Sequence, residues 1–166
     1  MTAKPARLDA DVRTIQVPVQ ELTAEAFAPY GEVSSPRTGF RLDFSGDAMT
    51  LCEVLIEKRP LHLDFLARHV RSTQTYIPLR GHESIIVVAP PSDLADSKAL
   101  PDLTQLAAFR VTGECAVNLH KGTWHRSPLP LGDNAHFIVI DREGTLEDLD
   151  LVDLRVNLGA AIEIDL

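Results

Sequence analysis

Apolar and polar residues along this chain alternate with a period of two far more often than with the 3.6-residue period of a helix. Between Thr50 and Glu57, Cys52, Val54 and Ile56 share one face, against Leu51, Glu53, Leu55 and Glu57 on the other. Leu61, Leu63 and Phe65 then alternate with His62 and Asp64. Further strand-like runs cover 73–79, 84–89, 106–112, 115–119, 135–141 and 161–166. Breakers separate them at Arg80-Gly81-His82, Pro90-Pro91, Thr112-Gly113-Glu114, Gly122 and Leu131-Gly132-Asp133-Asn134. Short strands punctuated this often predict a sandwich or barrel. Helix signals are sparse. Residues 22–28 predict one short helix with Thr23 as N-cap, stopped at Pro29-Tyr30-Gly31, and 101–105 predict another turn or two. Residues 34–46 and 90–101 read as loops, the second acidic and exposed, and the first dozen residues read as loose.

A length of 166 residues is that of one domain, so 1–166 is read as a single unit. The net charge is −8 and no basic run exceeds Lys58-Arg59, which argues against nucleic acid as a partner. No apolar stretch approaches the roughly 20 residues of a transmembrane helix. The N-terminal Met-Thr-Ala-Lys-Pro has no apolar core behind it, as a secretory signal would need. The expectation is a cytoplasmic protein that acts on a small molecule and has no membrane segment. Cys52 and Cys115 lack C-x-x-C spacing and read as reduced core thiols.

The candidate chemistry lies with the histidines. His69, His120 and His125 stand beside strand-like segments that also hold Gln74, Tyr76 and Trp124. Imidazole is the commonest metal ligand and titrates near neutrality. Four residues separate His69 from Gln74, and six more precede Gly81. Later, His120-Lys121-Gly122-Thr123-Trp124-His125 sets His125 three residues after Gly122. This spacing resembles the two short motifs that carry metal ligands into the mouth of cupin barrels. Ala67 stands at the first histidine of the first motif, Gln74 at its glutamate, and His120 at the proline of the second. The resemblance implies an all-β, cupin-like barrel or jelly roll with one or two short helices. It also implies a ligand set of His69, Gln74 and His125. Two imidazoles and a neutral amide are expected to hold nickel or zinc weakly or not at all.

A closer resemblance covers about residues 15 to 145. Glu25-Ala26-Phe27-Ala28-Pro29-Tyr30-Gly31-Glu32-Val33, Leu66-Ala67-Arg68-His69 and Ser72-Thr73-Gln74-Thr75-Tyr76-Ile77-Pro78-Leu79-Arg80-Gly81 are similar to the ureidoglycolate lyase family of cupins. So are Val117-Asn118-Leu119-His120-Lys121-Gly122-Thr123-Trp124-His125 and Phe137-Ile138-Val139-Ile140-Asp141-Arg142. The resemblance implies cleavage of ureidoglycolate to glyoxylate and urea in purine and allantoin degradation, by a homodimer stimulated by nickel. Residues 37–47 depart from the family pattern, with Arg41 and Asp43 but no histidine.

Such a cleavage needs a base for the substrate hydroxyl, an acid for the leaving urea and a cation for the carboxylate. His120 is read as the general base, with Lys121 beside it as a catalytic candidate able to hold the carboxylate. Tyr76, Arg80 and Arg142 are read as substrate-binding. Tyr76 shares a strand face with Gln74 by period-two geometry. Trp124 reads as core rather than as a lid. The homodimer also follows from exposed edge strands, with the apolar run 160–164 as a contributor. The second functional reading is a cupin relative that binds a small carboxylate or sugar acid without cleaving it, which the departure at 37–47 favours.

Overall fold

The computed structural model describes residues 12–147 and 149–166. In chain order the elements are β1 (Arg13–Glu21), α1 (Ala24–Phe27), β2 (Gly31–Val33), β3 (Met49–Glu57), β4 (His62–Leu63), β5 (Phe65–Arg68), β6 (Gln74–Leu79) and β7 (Ser84–Ala89). After a single 3₁₀ turn at Leu103–Gln105 come β8 (Ala107–Val111), β9 (Val117–Leu119), β10 (Trp124–His125), β11 (Leu129–Pro130), β12 (Asn134–Arg142), β13 (Asp150–Asp153), α2 (Leu154–Leu158) and β14 (Ala160–Asp165). The larger sheet runs β13-β5-β10-β7-β8-β1-β14-β4, with β11 also on β7, and the smaller runs β2-β9-β6-β12-β3. This is the expected mainly β, cupin-like barrel.

The continuous apolar run of β7 has a plain cause. Ile86 and Val88 join Phe109, Phe137, Val117 and Leu119 in one core cluster. Ile85, Val87 and Ala89 join Trp124, Leu66, Leu129 and Ile162 in a second. A strand covered on both faces has no polar position to alternate with. Phe27 and Phe109 meet edge-on at 5.2 Å, and Tyr30 meets Phe109 at 5.8 Å, so α1 and the turn after it each add an aromatic ring to the first core. Thr23 caps α1 as expected, accepting from the N–H of Ala26 at 3.1 Å.

Trp124 is fully buried, as core. Its Nε1 donates to Ser92 Oγ at 2.9 Å, and the guanidinium of Arg68 stacks 4.7 Å over its ring. Arg68, itself fully buried, donates to Asp150 Oδ2 at 2.9 Å, Ser92 Oγ and the carbonyl of Asp93 at 3.0 Å each, and the carbonyl of Asp96 at 2.6 Å. The acidic loop after β7 is therefore pinned to the barrel from within at Ser92, Asp93 and Asp96, while much of it stays exposed.

Several expectations need correction. Residues 13–21 form β1, a strand that the sequence pattern does not predict. The strand pairs in parallel with β14 through Pro18 and with β8 from Val19, so the proline sits where the pairing changes partner. The alternation at 61–65 is two strands rather than one. They part at Asp64, whose carbonyl accepts from Leu154 N at 2.8 Å and whose carboxylate takes His62 Nε2 at 2.9 Å. Both cysteines are free, but Cys52 is exposed on β3, the edge strand of the smaller sheet, and Cys115 is half-buried. Neither is a core residue. Apart from Val12, the segment read as loose lies outside the described residues.

Candidate active site

The smaller sheet places Gln74 and Tyr76 on the inner face of β6, and the larger sheet places His125 at the end of β10. His69 follows β5 and is tied by backbone to the turn before β10, since Gly122 N donates to the His69 carbonyl at 2.8 Å. Gly122 holds φ +79°, a backbone conformation that strains any L side chain and favours glycine in this turn. His69, Gln74, Tyr76 and His125 are all buried and border one cavity of about 300 Å³, with Ala67, Arg126, Ser127, Leu146, Leu149 and Leu151 completing it. An adjoining cavity of about 570 Å³ shares Tyr76, Ser127 and Leu146 and brings in Asp141, Arg142, Thr50 and Thr145.

A hydrogen-bonded chain links the polar groups. Asp141 accepts from Thr50 Oγ1 at 2.6 Å and from Gln74 Nε2 at 3.2 Å. Gln74 Oε1 then accepts from the Tyr76 hydroxyl at 2.9 Å and faces His125 Nε2 at 2.8 Å. His125 Nδ1 lies 2.9 Å from the carbonyl of Thr123, which can only accept, so Nδ1 carries the proton. His69 Nδ1 meets Thr145 Oγ1 at 3.0 Å, and the two imidazole centroids are 5.4 Å apart. Burial, then the neighbouring His69, push the His125 pKa down to about 3, only partly offset by the Thr123 carbonyl. His125 is therefore neutral at physiological pH, with its Nε2 lone pair turned on an oxygen lone pair. Burial and the Asp141 charge raise the Tyr76 pKa, so the phenol stays protonated and donates.

These residues fit a bound cation. Both imidazoles have Nδ1 anchored by a neighbour, the usual support for ligation through Nε2. The Gln74 oxygen and His125 Nε2 are two acceptors brought face to face. Rotating the amide by half a turn would only transfer the mismatch, setting Oε1 against the Asp141 carboxylate. Two imidazole nitrogens and a neutral oxygen suit nickel or zinc. Among the described residues no group of three His, Cys, Asp or Glu side chains is gathered as for a metal, because the third donor here is an amide.

The sequence-derived candidates divide. His69, Gln74, Tyr76 and His125 come together. Arg142 borders the adjoining cavity, with its guanidinium donating to the carbonyl of Glu143 at 2.7 Å and of Gly144 at 3.2 Å and facing Asp47 at 3.4 Å. His120 and Lys121 are not among the residues bordering either cavity. His120 belongs to the turn, its N–H donating to the Tyr30 carbonyl and its carbonyl accepting from Thr123. Lys121 is ion-paired with Asp43 at 2.8 Å and donates to Ser45 at 2.9 Å, so it holds down the 37–47 loop. Arg80 is exposed at φ +60° beyond the far end of β6 from Gln74, so it is not brought to this cavity either. Sequence reasoning passed over Asp141 as a partner of Gln74, Thr145 as a partner of His69, and Arg126. Only Arg126 had a local signal, as the residue after His125.

The fold and this enclosed imidazole–amide–phenol cluster define a barrel of the cupin kind, with its polar site set between the two sheets. The family described as Ureidoglycolate lyase matches residues 44–160. Proteins named ureidoglycolate lyase from Azotobacter vinelandii and Stutzerimonas stutzeri are 31% and 32% identical over 152 residues, covering 80% of this chain and 88% and 86% of theirs. One of the same name from Pseudomonas savastanoi pv. phaseolicola is 33% identical over 153 residues, covering 80% and 86%. The chain belongs to the ureidoglycolate lyase family.

Proposed function

We propose that this protein is a lyase that splits ureidoglycolate into glyoxylate and urea. The observation carrying the proposal is the convergence of the buried His69, Gln74, Tyr76 and His125 on one cavity, in a chain of this family. The reaction removes the proton of the substrate hydroxyl, breaks the carbon–nitrogen bond as the carbonyl of glyoxylate forms, and returns a proton to the urea nitrogen. With Nδ1 of His69 anchored at Thr145, Nε2 is the atom that takes the hydroxyl proton and hands it to the departing nitrogen. His125, held neutral, is a poor base and serves as a fixed acceptor. Tyr76 keeps its proton and, by donating it to Gln74 Oε1, holds that amide in place. Leu146, Leu149 and Leu151 form the apolar part of the cavity rim, Leu146 and Leu151 largely exposed.

His69, Gln74 and His125 would hold nickel or zinc through that same His69 Nε2, so a bound metal would replace the imidazole as the group that activates the hydroxyl, by polarising a substrate oxygen and making the hydroxyl easier to deprotonate. With no charged ligand among the three, weak binding is expected.

The same proposal includes a homodimer and a place in purine and allantoin degradation in the cytoplasm. The run 160–164 is unavailable to a partner, because Ala160, Ala161, Ile162 and Ile164 are buried between β1 and β4. The outer face of β3 replaces it, with Met49, Leu51 and Leu55 53%, 59% and 53% exposed on an edge strand. Ile140 lies across from Leu51 on β12, and Ile138 pairs Ile77 on β6, which extends the apolar face. A second copy of the same face would cover it. Two free thiols suit a reducing compartment, and no helix among the described residues is long and apolar enough to cross a membrane.

The test is proton NMR of racemic ureidoglycolate with the folded protein, with and without nickel. Equal amounts of glyoxylate and urea, from one enantiomer, are expected. Unchanged substrate would leave the carboxylate-binding reading in its place.

A further inference from the structure

Several arginines of the barrel are matched to acids. Arg68 meets Asp150 at 2.9 Å, Arg71 meets Asp47 and Arg110 meets Glu83 at 2.6 Å, and Arg155 meets Asp64 at 2.5 Å. Arg126 and Arg59 have no such partner among the described residues, and only Arg126 borders the cavity itself. Arg126 borders it beside His125, half-buried, with its guanidinium 5.9 Å from the ring centre of Phe65. Among the described residues it makes no ion pair with a carboxylate. Arg59, in the segment between β3 and β4, gives Nη2 to the carbonyls of Ser127 and Pro128. Its Nε is buried with no hydrogen-bond partner among the described residues. Ser127, the residue it grips, borders both cavities.

The two cations also feel one another. Burial, then the charge of Arg126, lower the Arg59 pKa, and the Tyr76 phenol is within reach of the same field. Two guanidiniums with no acid between them, partly removed from water, are an unfavourable arrangement in a chain of net charge −8. A carboxylate placed between the phenol and the arginines would relieve it, and a guanidinium can take such a group bidentately.

We infer that Arg126, supported by Arg59, forms a carboxylate subsite in the wall of the His125 cavity, and that it selects small acids over their uncharged analogues. This rests on the lyase reading in one respect only, that the acid is the substrate's own carboxylate. Arg126 is the residue that touches the ligand. Arg59 acts through the Ser127–Pro128 backbone it holds and through its charge.

The experiment is calorimetric titration of the full chain with glyoxylate and oxalate, with urea as the uncharged control. Wild type is compared with Arg126→Gln, Arg126→Lys and Arg59→Lys, each checked for folding by thermal melt. Arg126→Gln should weaken both acids at least about tenfold, Arg126→Lys should recover part of that loss, and urea should be unaffected. Wild type that binds neither acid, or an Arg126→Gln protein that binds them as wild type does, overturns the subsite. If ureidoglycolate is not cleaved yet acid binding depends on Arg126, the subsite stands and the lyase reading falls. If cleavage proceeds with an unchanged KM in Arg126→Gln, the subsite falls and the lyase reading stands.

Discussion

Gln74 turns its amide oxygen onto His125 Nε2 at 2.8 Å while its amide nitrogen is held by Asp141 at 3.2 Å. The second contact fixes the first, so an acceptor faces an acceptor in a buried site. Gln74→Glu would set a carboxylate against Asp141 as well as against His125. Two carboxylates this close cannot both ionise cheaply, so the metal-free variant should share a proton between them and lose stability as pH rises above the carboxylate range. Nickel would supply the missing positive charge. Nickel titration should show the variant binding at least about tenfold tighter than wild type, or ~1.4 kcal/mol. No gain would mean that these three residues are not the metal ligands.

His125 makes stability depend on pH with a definite sign. Its folded-state pKa of about 3 lies below the ordinary 6.5, so between those values the unfolded chain binds the extra proton. Stability from this group is present above pH 6.5 and is lost progressively as pH falls toward 3. Between pH 7 and pH 5 the loss is about 2 kcal/mol. Urea denaturation at the two pH values should show His125→Gln losing less than wild type by that amount.

Arg68 is fully buried and serves a carboxylate, a hydroxyl and two carbonyls. Arg68→Ala would strand all four and remove the cation from the face of Trp124. A cost of about 3–5 kcal/mol is expected. Amide exchange should show the 90–99 loop losing protection before the barrel strands do.

Leu51 and Leu55 sit exposed on one face of edge strand β3. Leu51→Glu with Leu55→Glu would place acids on the proposed dimer face next to the existing Glu53 without disturbing the core. Light scattering should give a dimer for wild type and a particle near 18.2 kDa for the variant. A wild-type monomer at micromolar concentrations would remove the dimer from the account.

The sequence made the long elements legible where physics leaves a local trace. β3 and β12 alternate because one face of each looks into the barrel, and β7 is apolar throughout because both faces are covered. β1 was hidden by Pro18 and by outward polar residues such as Gln16 and Gln20. β10 is two residues long, too short for any period. α2 did carry a readable cap at each end, with Asp153 accepting from Val156 N at 2.9 Å and Gly159 at φ +57°. In the site, the spacing of His69, Gln74 and His125 was readable because it is set by the strands that carry them. Asp141 is 67 residues from Gln74 in the chain and is brought near only by the pairing of β12 with β6, while Arg59 reaches the site through the Ser127–Pro128 backbone it holds. His120 was attractive for its imidazole alone, and the turn that needs its backbone keeps it out of the cavity wall.

The most direct measurement of the central claim is the rate of urea release from ureidoglycolate by wild type, His69→Gln and His120→Gln at equal concentration. Wild type should exceed the spontaneous rate and yield glyoxylate and urea one to one. His69→Gln should lose at least about a hundredfold in kcat, the scale of a missing general base, and His120→Gln should stay within a few-fold of wild type. Urea release that survives in His69→Gln, or a folded wild type that releases none with nickel present, would contradict the account.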